Sequence, residues 1–163
     1  MDSDALFSWI EINQTGTRLN DISNGDDESE PISFSSWSFP FYEKDYSTIY
    51  VSSNGWMTFS DLSDAEKLCD PIPSLEQQNI DCVSLLSVDL DPSLNGDVFY
   101  NFSGTIPNRY LIIEFYNVSH KNSNLVGSFE VIFYENGTII FQYKELRYLD
   151  NYIIGLDHGD GVN

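Results

Sequence analysis

The amino-acid sequence predicts an all-β fold: a jelly-roll-like, two-sheet antiparallel β-sandwich of about ten strands. Helical periodicity is nearly absent along the chain. Short runs rich in Phe, Tyr, Ile and Val alternate with turn residues, and two of those runs are closed by Asn-Gly dipeptides. With 163 residues, 41% of them apolar, and 11 Phe and 10 Tyr among them, the chain can fill one core and is too short for two comfortable ones. A single domain over residues 1–163 follows.

Taken in order, Leu6 to Ile12 reads as a first strand. Residues 20–31, with Asp21, Asp26, Asp27, Glu28 and Glu30, carry turn residues and like charges that disfavour pairing and read as an acidic loop. Ile32 to Phe41 suits one bent strand or two short ones, with Pro40 marking an edge or a bend. Tyr46 to Ser53 alternates and Trp56 to Phe59 returns. Between them Asn54-Gly55 tolerates positive φ at both central positions of a two-residue hairpin. Leu62 to Leu68 is the one stretch suited to a turn or two of helix. Val83 to Val88, Val98 to Phe102 and Tyr110 to Val118 are further strands. Ser128 to Glu135 and Thr138 to Tyr143 form the second hairpin around Asn136-Gly137, and Tyr152 to Leu156 closes the series.

Tyr110 to Tyr116 is apolar on both faces, as in a strand covered on each side. No helices exist to cover it, so a second sheet must do so. That places Leu111, Ile113, Phe115, Phe129, Val131, Phe133, Ile139 and Phe141 in the core.

Seven basic against 26 acidic residues give a net charge of −19, which repels phosphate backbones and anionic lipid head groups, so neither nucleic acid nor direct membrane insertion is expected. The acidity fits either a solvated exposed protein or dedicated cation sites. There is no apolar run long enough to span a bilayer, and the opening Met1-Asp2-Ser3-Asp4 has no signal-peptide character. The abrupt end at Gly159-Asp160-Gly161-Val162-Asn163 reads as a domain excised from a larger extracellular protein. Cys69 and Cys82 are the two cysteines. A disulfide between them would stabilise the fold by about 3 kcal/mol and place it in an oxidising compartment; two unpaired thiols are the alternative. Asn13, Asn101, Asn117 and Asn136 each open an Asn-x-Ser/Thr sequon, which permits N-glycosylation in a secreted chain.

Several segments together resemble the nidogen-like extracellular sandwich, found also in plexin-domain-containing receptors and in archaeal and bacterial surface proteins. Phe39-Pro40-Phe41-Tyr42, Tyr46 and Tyr50 to Phe59 look like that family's aromatic-Pro strand and Asn-Gly hairpin. Asp89-Leu90-Asp91-Pro92 sits where its acidic turn lies, Phe129 to Tyr143 resembles its second hairpin, and Ile154 to Gly161 its closing strand. Glu43 departs from the Gly often found there, and Val83 to Val88 lacks the usual Ala-Pro and Trp. The resemblance implies an extracellular module of adhesion or matrix proteins, sometimes attached to secreted proteases, without catalytic residues of its own.

Reactive chemistry has little support. His120 and His158 are the two histidines, and neither is flanked by a catalytic motif, so both read as solvated loop residues. Phosphate-cradling, His-Glu-x-x-His and Cys-x-x-Cys patterns are absent, and among 26 acids no carboxylate pair is singled out for glycoside hydrolysis. The turn Asp89 to Asp97 is the best site candidate, because oxygens of Asp89, Asp91, Asn95 and Asp97 on a Gly-containing turn can converge on Ca2+; its alternative is a solvated turn capping its own backbone. Trp37 and Trp56 could form a platform for sugar rings, although burial in the core is the more ordinary place for them.

The expectation is therefore a non-catalytic, extracellular or cell-surface adhesion module that binds protein or glycan through loops or a sheet edge and works beside neighbouring domains of the same chain. The alternative is a structural spacer or accessory domain attached to a secreted enzyme such as a protease. An enzyme that cleaves carbohydrate with surface carboxylates is a third class.

Overall fold

Strand alternation decides the layers. The computed structural model describes residues 7–34, 36–60, 81–148 and 151–158. Over these residues the strands are β1 (Thr17–Arg18), β2 (Ser29–Ser33), β3 (Phe39–Phe41), β4 (Lys44–Tyr46), β5 (Thr48–Ser52), β6 (Trp56–Thr58), β7 (Cys82–Ser87), β8 (Asp97–Ser103), β9 (Tyr110–Ser119), β10 (Leu125–Tyr134), β11 (Ile139–Leu146) and β12 (Ile153–Asp157), with one short helix, α1 (Asn20–Asn24). In β9 and β10 the register sets Phe129 opposite Phe115, Val131 opposite Ile113 and Phe133 opposite Leu111. With a side-chain period of two, all six point to one face.

The first sheet has the order β1-β8-β9-β10-β11 and the second β12-β7-β6-β5-β2, with β3 and β4 as a separate ribbon. Every pairing is antiparallel. Both sheets are largely meanders, β8 to β11 in one and β5 to β7 in the other. The inner residues of the first sheet pack against Ile49, Val51, Met57, Val83 and Leu85 of the second in one cluster, and Phe34, Phe39, Phe41 and Phe59 fill one end of it. The expected core residues all lie there, Ile139 and Phe141 at its partly buried margin. This is the sandwich that the sequence predicts.

The two Asn-Gly hairpins form, with loops one residue longer than expected. Val51 pairs with Met57 and Phe133 with Ile139. The Gly55 N–H donates to Ser52 O at 3.2 Å and the Gly137 N–H to Tyr134 O at 2.9 Å, and only the glycines have positive φ, +75° and +88°. Each loop is a turn followed by a left-handed Gly, so Asn54 and Asn136 stay in ordinary backbone. A side chain at Gly55 would run into the Leu86 carbonyl, and the Gly55 carbonyl instead accepts from the Leu85 and Leu86 amides at 3.2 and 3.1 Å.

Two expectations are corrected. Residues 20–31 are not one loop: Asn20–Asn24 form α1 and β2 starts at Ser29, which leaves only residues 25–28 irregular. Leu19 and Ile22 are buried, the Leu19 N–H donates to Val98 O at 2.9 Å, and Ser23 Oγ accepts from the Val98 N–H at 2.9 Å, so packing on β8 outweighs the polar composition. Pro31 is tolerated because β2 is the edge of its sheet. The described part of Leu6 to Ile12 is likewise no strand. It runs as a strap over the outer face of the first sheet, with its amides bonded to side chains of β9, β10 and β11. The helical turn expected at Leu62 to Leu68 lies outside the described residues.

Candidate functional site

The acidic turn after β7 does not converge as a set. Asp91 Oδ1 accepts from the Ser93 N–H at 3.0 Å, the Asn95 side-chain amide donates to Asn117 O at 2.5 Å, and Asp97 pairs with Arg18 at 2.6 Å. Only Asp89 leaves the turn, to lie with Asp26 and Asp27 so that one carboxylate oxygen of each falls within 4.8 Å of the others. Buried Asn54 organises this end: its Nδ2 donates to Asp27 at 2.8 Å and its Oδ1 accepts from the Leu90 N–H at 2.8 Å. Burial, then the neighbouring Asp27 and Asp91, push the Asp26 carboxyl up. Lys121 forms an ion pair with Asp89, bringing a tethered positive charge to the same place. Three carboxylates are a donor set that suits a hard cation, and here an ammonium already meets one of them.

At the opposite end, three chain segments remote in sequence meet. Asp81, which precedes β7, is buried, and its carboxylate accepts from the Tyr46 hydroxyl and from His158 Nδ1–H at 2.8 Å, with Lys44 Nζ 3.6 Å away. Burial and the bond to Asp81 both push the Tyr46 phenol upward. His158 follows β12, and its ring stacks on Tyr42 with centroids 4.5 Å apart. Tyr42 and Glu43 are the whole loop of the β3–β4 hairpin, where Phe41 pairs with Lys44. Tyr42 takes the first central position with φ +51° and is 57% exposed, a position where a two-residue hairpin of this kind ordinarily uses Gly. A non-Gly residue held this way costs about 1–3 kcal/mol, and such strain persists only where surrounding contacts enforce it. Here those contacts are the edge-on Phe41 ring at 4.7 Å and the Asp81-anchored imidazole. Beside Tyr42 lies a hollow of about 360 Å³ lined by Pro40, Phe41, Tyr42, Gly137, Ile139 and Leu156. On β12 Ile154 and Leu156 are both exposed, as is Tyr152 just before it.

Neither histidine is the solvated loop residue that the sequence suggests. His120 is buried, accepts from the Asn122 N–H at 3.2 Å and meets Tyr148 edge-on at 5.5 Å. Trp56 is buried, and Trp37 is half-buried beside Phe34 with the Arg109 guanidinium 6.0 Å from its ring centre. Asn136 is exposed at a hairpin tip, while Asn13 and Asn101 are half-buried. Asn117 sits in a left-handed kink at φ +49° with its Oδ1 accepting from Ser128 Oγ at 3.3 Å. Of the four sequons Asn136 thus presents the most accessible amide. Cys82 opens β7 and is buried, opposite Thr58 and Asp157. Cys69, its expected partner, lies outside the described residues. The corner of Tyr42, Asp81 and His158 was not legible in sequence; its only signal was an aromatic residue in a turn lacking Gly, Asn and Asp.

A family model described as NIDO related matches residues 3–162, nearly the whole chain. No curated protein and no solved structure matches it. Among the described residues no helix is long and apolar enough to cross a membrane.

Proposed function

The chain belongs to the nidogen-related family, whose membership points to an extracellular module, and on that premise we propose that it is a non-catalytic adhesion or interaction domain of a cell-surface or secreted protein. It binds protein or glycan through the corner built by Tyr42, His158 and the adjoining hollow. The observation that carries this reading is the exposed, left-handed Tyr42 braced by His158 on buried Asp81. A tyrosine fixed in this way offers a large amphipathic contact whose conformational entropy is already spent before a partner arrives. The exposed Leu156, Ile154 and Tyr152 extend the apolar contact along β12. A net charge of −19 turns away polyanions and favours neutral glycans or neutral to basic proteins.

The test is a glycan array together with a pull-down from cell-envelope extract, run with the unaltered domain and with Tyr42→Ala and His158→Ala. Specific binding that weakens at least about tenfold, or about 1.4 kcal/mol, in Tyr42→Ala while the fold persists supports the reading. Silence of the unaltered domain in both assays, or binding indifferent to Tyr42, refutes it and leaves the spacer role in its place.

A further inference from the structure

The outer face of the first sheet carries two carboxyl groups with no exposure at all. Glu114 on β9 and Glu130 on β10 stand directly opposite one another, and Gln142 on β11 is opposite Glu130. Rows of Ile112, Ile132 and Ile140 run beside them. The strap seals this face. Alternate amides reach down to the row: the Ser8 N–H donates to Gln142 Oε1 at 2.7 Å, the Ile10 N–H to Glu130 Oε1 at 3.2 Å and the Ile12 N–H to Glu114 Oε2 at 2.8 Å. Gln142 Nε2 donates to Ser8 O and to Glu130 Oε1, both at 2.8 Å. Ile10 and Ile12 pack on Ile112 and Ile132 between those bonds. The strap is thus an extended segment whose hydrogen-bonding partner is a row of side chains and not a backbone.

The remaining oxygens, Glu114 Oε1 and Glu130 Oε2, are buried without a hydrogen-bond partner. Two facing carboxylates so placed would be doubly costly: each is stripped of water, and like charges oppose across the strand pair. We propose that the strap is a proton-controlled latch, closed over the first sheet when Glu114 and Glu130 carry protons and loosened when both ionise.

The surroundings set the direction. Burial pushes both carboxyls up to about 7, outweighing the strap amides that favour the ionised forms. Glu11 on the strap favours the protonated form of Glu114 by like charge and by a side-chain hydrogen bond to it, and is itself held low first by its bond to Lys144 of β11. Lys144 favours the ionised form of Glu130 from a distance, and its hydrogen bond goes to Glu11. Among the described residues Tyr110 and Tyr116 from β9 and Tyr134 from β10 are further titratable neighbours; β8 brings Phe99 opposite Glu114 and, further along, Asp97 already paired with Arg18. No neighbour among these offers the pair a second positive charge. Opening uncovers Ile112, Ile132 and the half-buried Phe99, Tyr110, Tyr134 and Ile140.

Amide hydrogen exchange of Ser8, Ile10 and Ile12, corrected for the intrinsic pH dependence and compared between about pH 5.5 and pH 8.5, tests the latch. Protection of these amides is expected to fall at least about tenfold at the higher pH and to stay below that of Ile113 and Val131 in the core at both, as local opening requires. The variant Glu114→Gln/Glu130→Gln keeps acceptors for the strap and cannot ionise, so its protection should be flat with pH. Strap protection in the unaltered protein that is constant over this range overturns the proposal. So does an unchanged dependence in the double variant. Should that variant fail to fold, the result on the unaltered protein decides alone.

Discussion

Replacing Tyr42 with alanine and with glycine separates strain from contact at the proposed binding corner. Both changes remove the ring, hence its stack on His158 at 4.5 Å and its edge contact with Phe41 at 4.7 Å, together about 1–3 kcal/mol. They differ in the backbone. Alanine keeps a Cβ at φ +51° and so retains about 1–2 kcal/mol of left-handed strain, which glycine does not feel. Glycine in turn loses about 0.4–1 kcal/mol through the greater freedom of its unfolded chain. Tyr42→Gly should therefore be the more stable variant by about 1 kcal/mol, the reverse of the usual ranking of the two residues. Urea denaturation would read this as a higher midpoint at unchanged slope, and a thermal scan as a difference of about 2–4 °C. Ligand binding should be lost equally in both, because it needs the ring and not the strain. An alanine variant as stable as the glycine variant would show that the turn is not strained as described and would remove the main support for the corner as a built site.

Three further outcomes follow from the same geometry. Asn54→Ala should cost about 2–4 kcal/mol in urea denaturation, since it strands the buried Leu90 N–H and frees Asp27 at once. Stability should fall as pH rises from about 4.5 and level off above about 7: Glu114 and Glu130 are pushed up to about 7 in the folded protein and titrate near 4.5 when unfolded, so the native state binds the extra protons in that window. Denaturation midpoints across pH would check this, and Glu114→Gln/Glu130→Gln should flatten the part of the slope that general charge repulsion does not supply. Cys69 and Cys82 should resist alkylation until a reductant is added, with a loss of about 3 kcal/mol on reduction; prompt alkylation without reductant would remove the disulfide.

The parts of the fold that could be read from the sequence are those where a strand has one face buried by a continuous neighbour. Along β9 and β10 the register is well specified because a slip of one residue would move Phe115, Phe129 and Phe133 from the inter-sheet core to the strap-covered face of Glu114 and Glu130. The segment 20–31 is polar in composition, and the burial that folds it rests on Ile22 within it and Leu19 just before it. Local propensity gave way to packing on β8. The corner was invisible for a different reason: Tyr42, Asp81 and His158 come from three chain segments that meet only because the β3–β4 hairpin and the ends of β7 and β12 share one end of the sandwich.

The strap shows how a correct pattern can find an unforeseen partner. Leu6 to Ile12 alternates as a strand should, and Ile10 and Ile12 do face an apolar surface. Yet the edges of the first sheet are already β1 and β11, and the strap lies across its face, where no backbone donors or acceptors are free. Its amides can be satisfied there only by side chains long enough to stand in for a neighbouring strand, which is what Glu114, Glu130 and Gln142 supply in one row. Two of those three are carboxyls, so the arrangement that satisfies the strap also buries groups whose charged form the site resists. An all-amide row would hold the strap at every pH. Building it from glutamates makes its closure depend on protons.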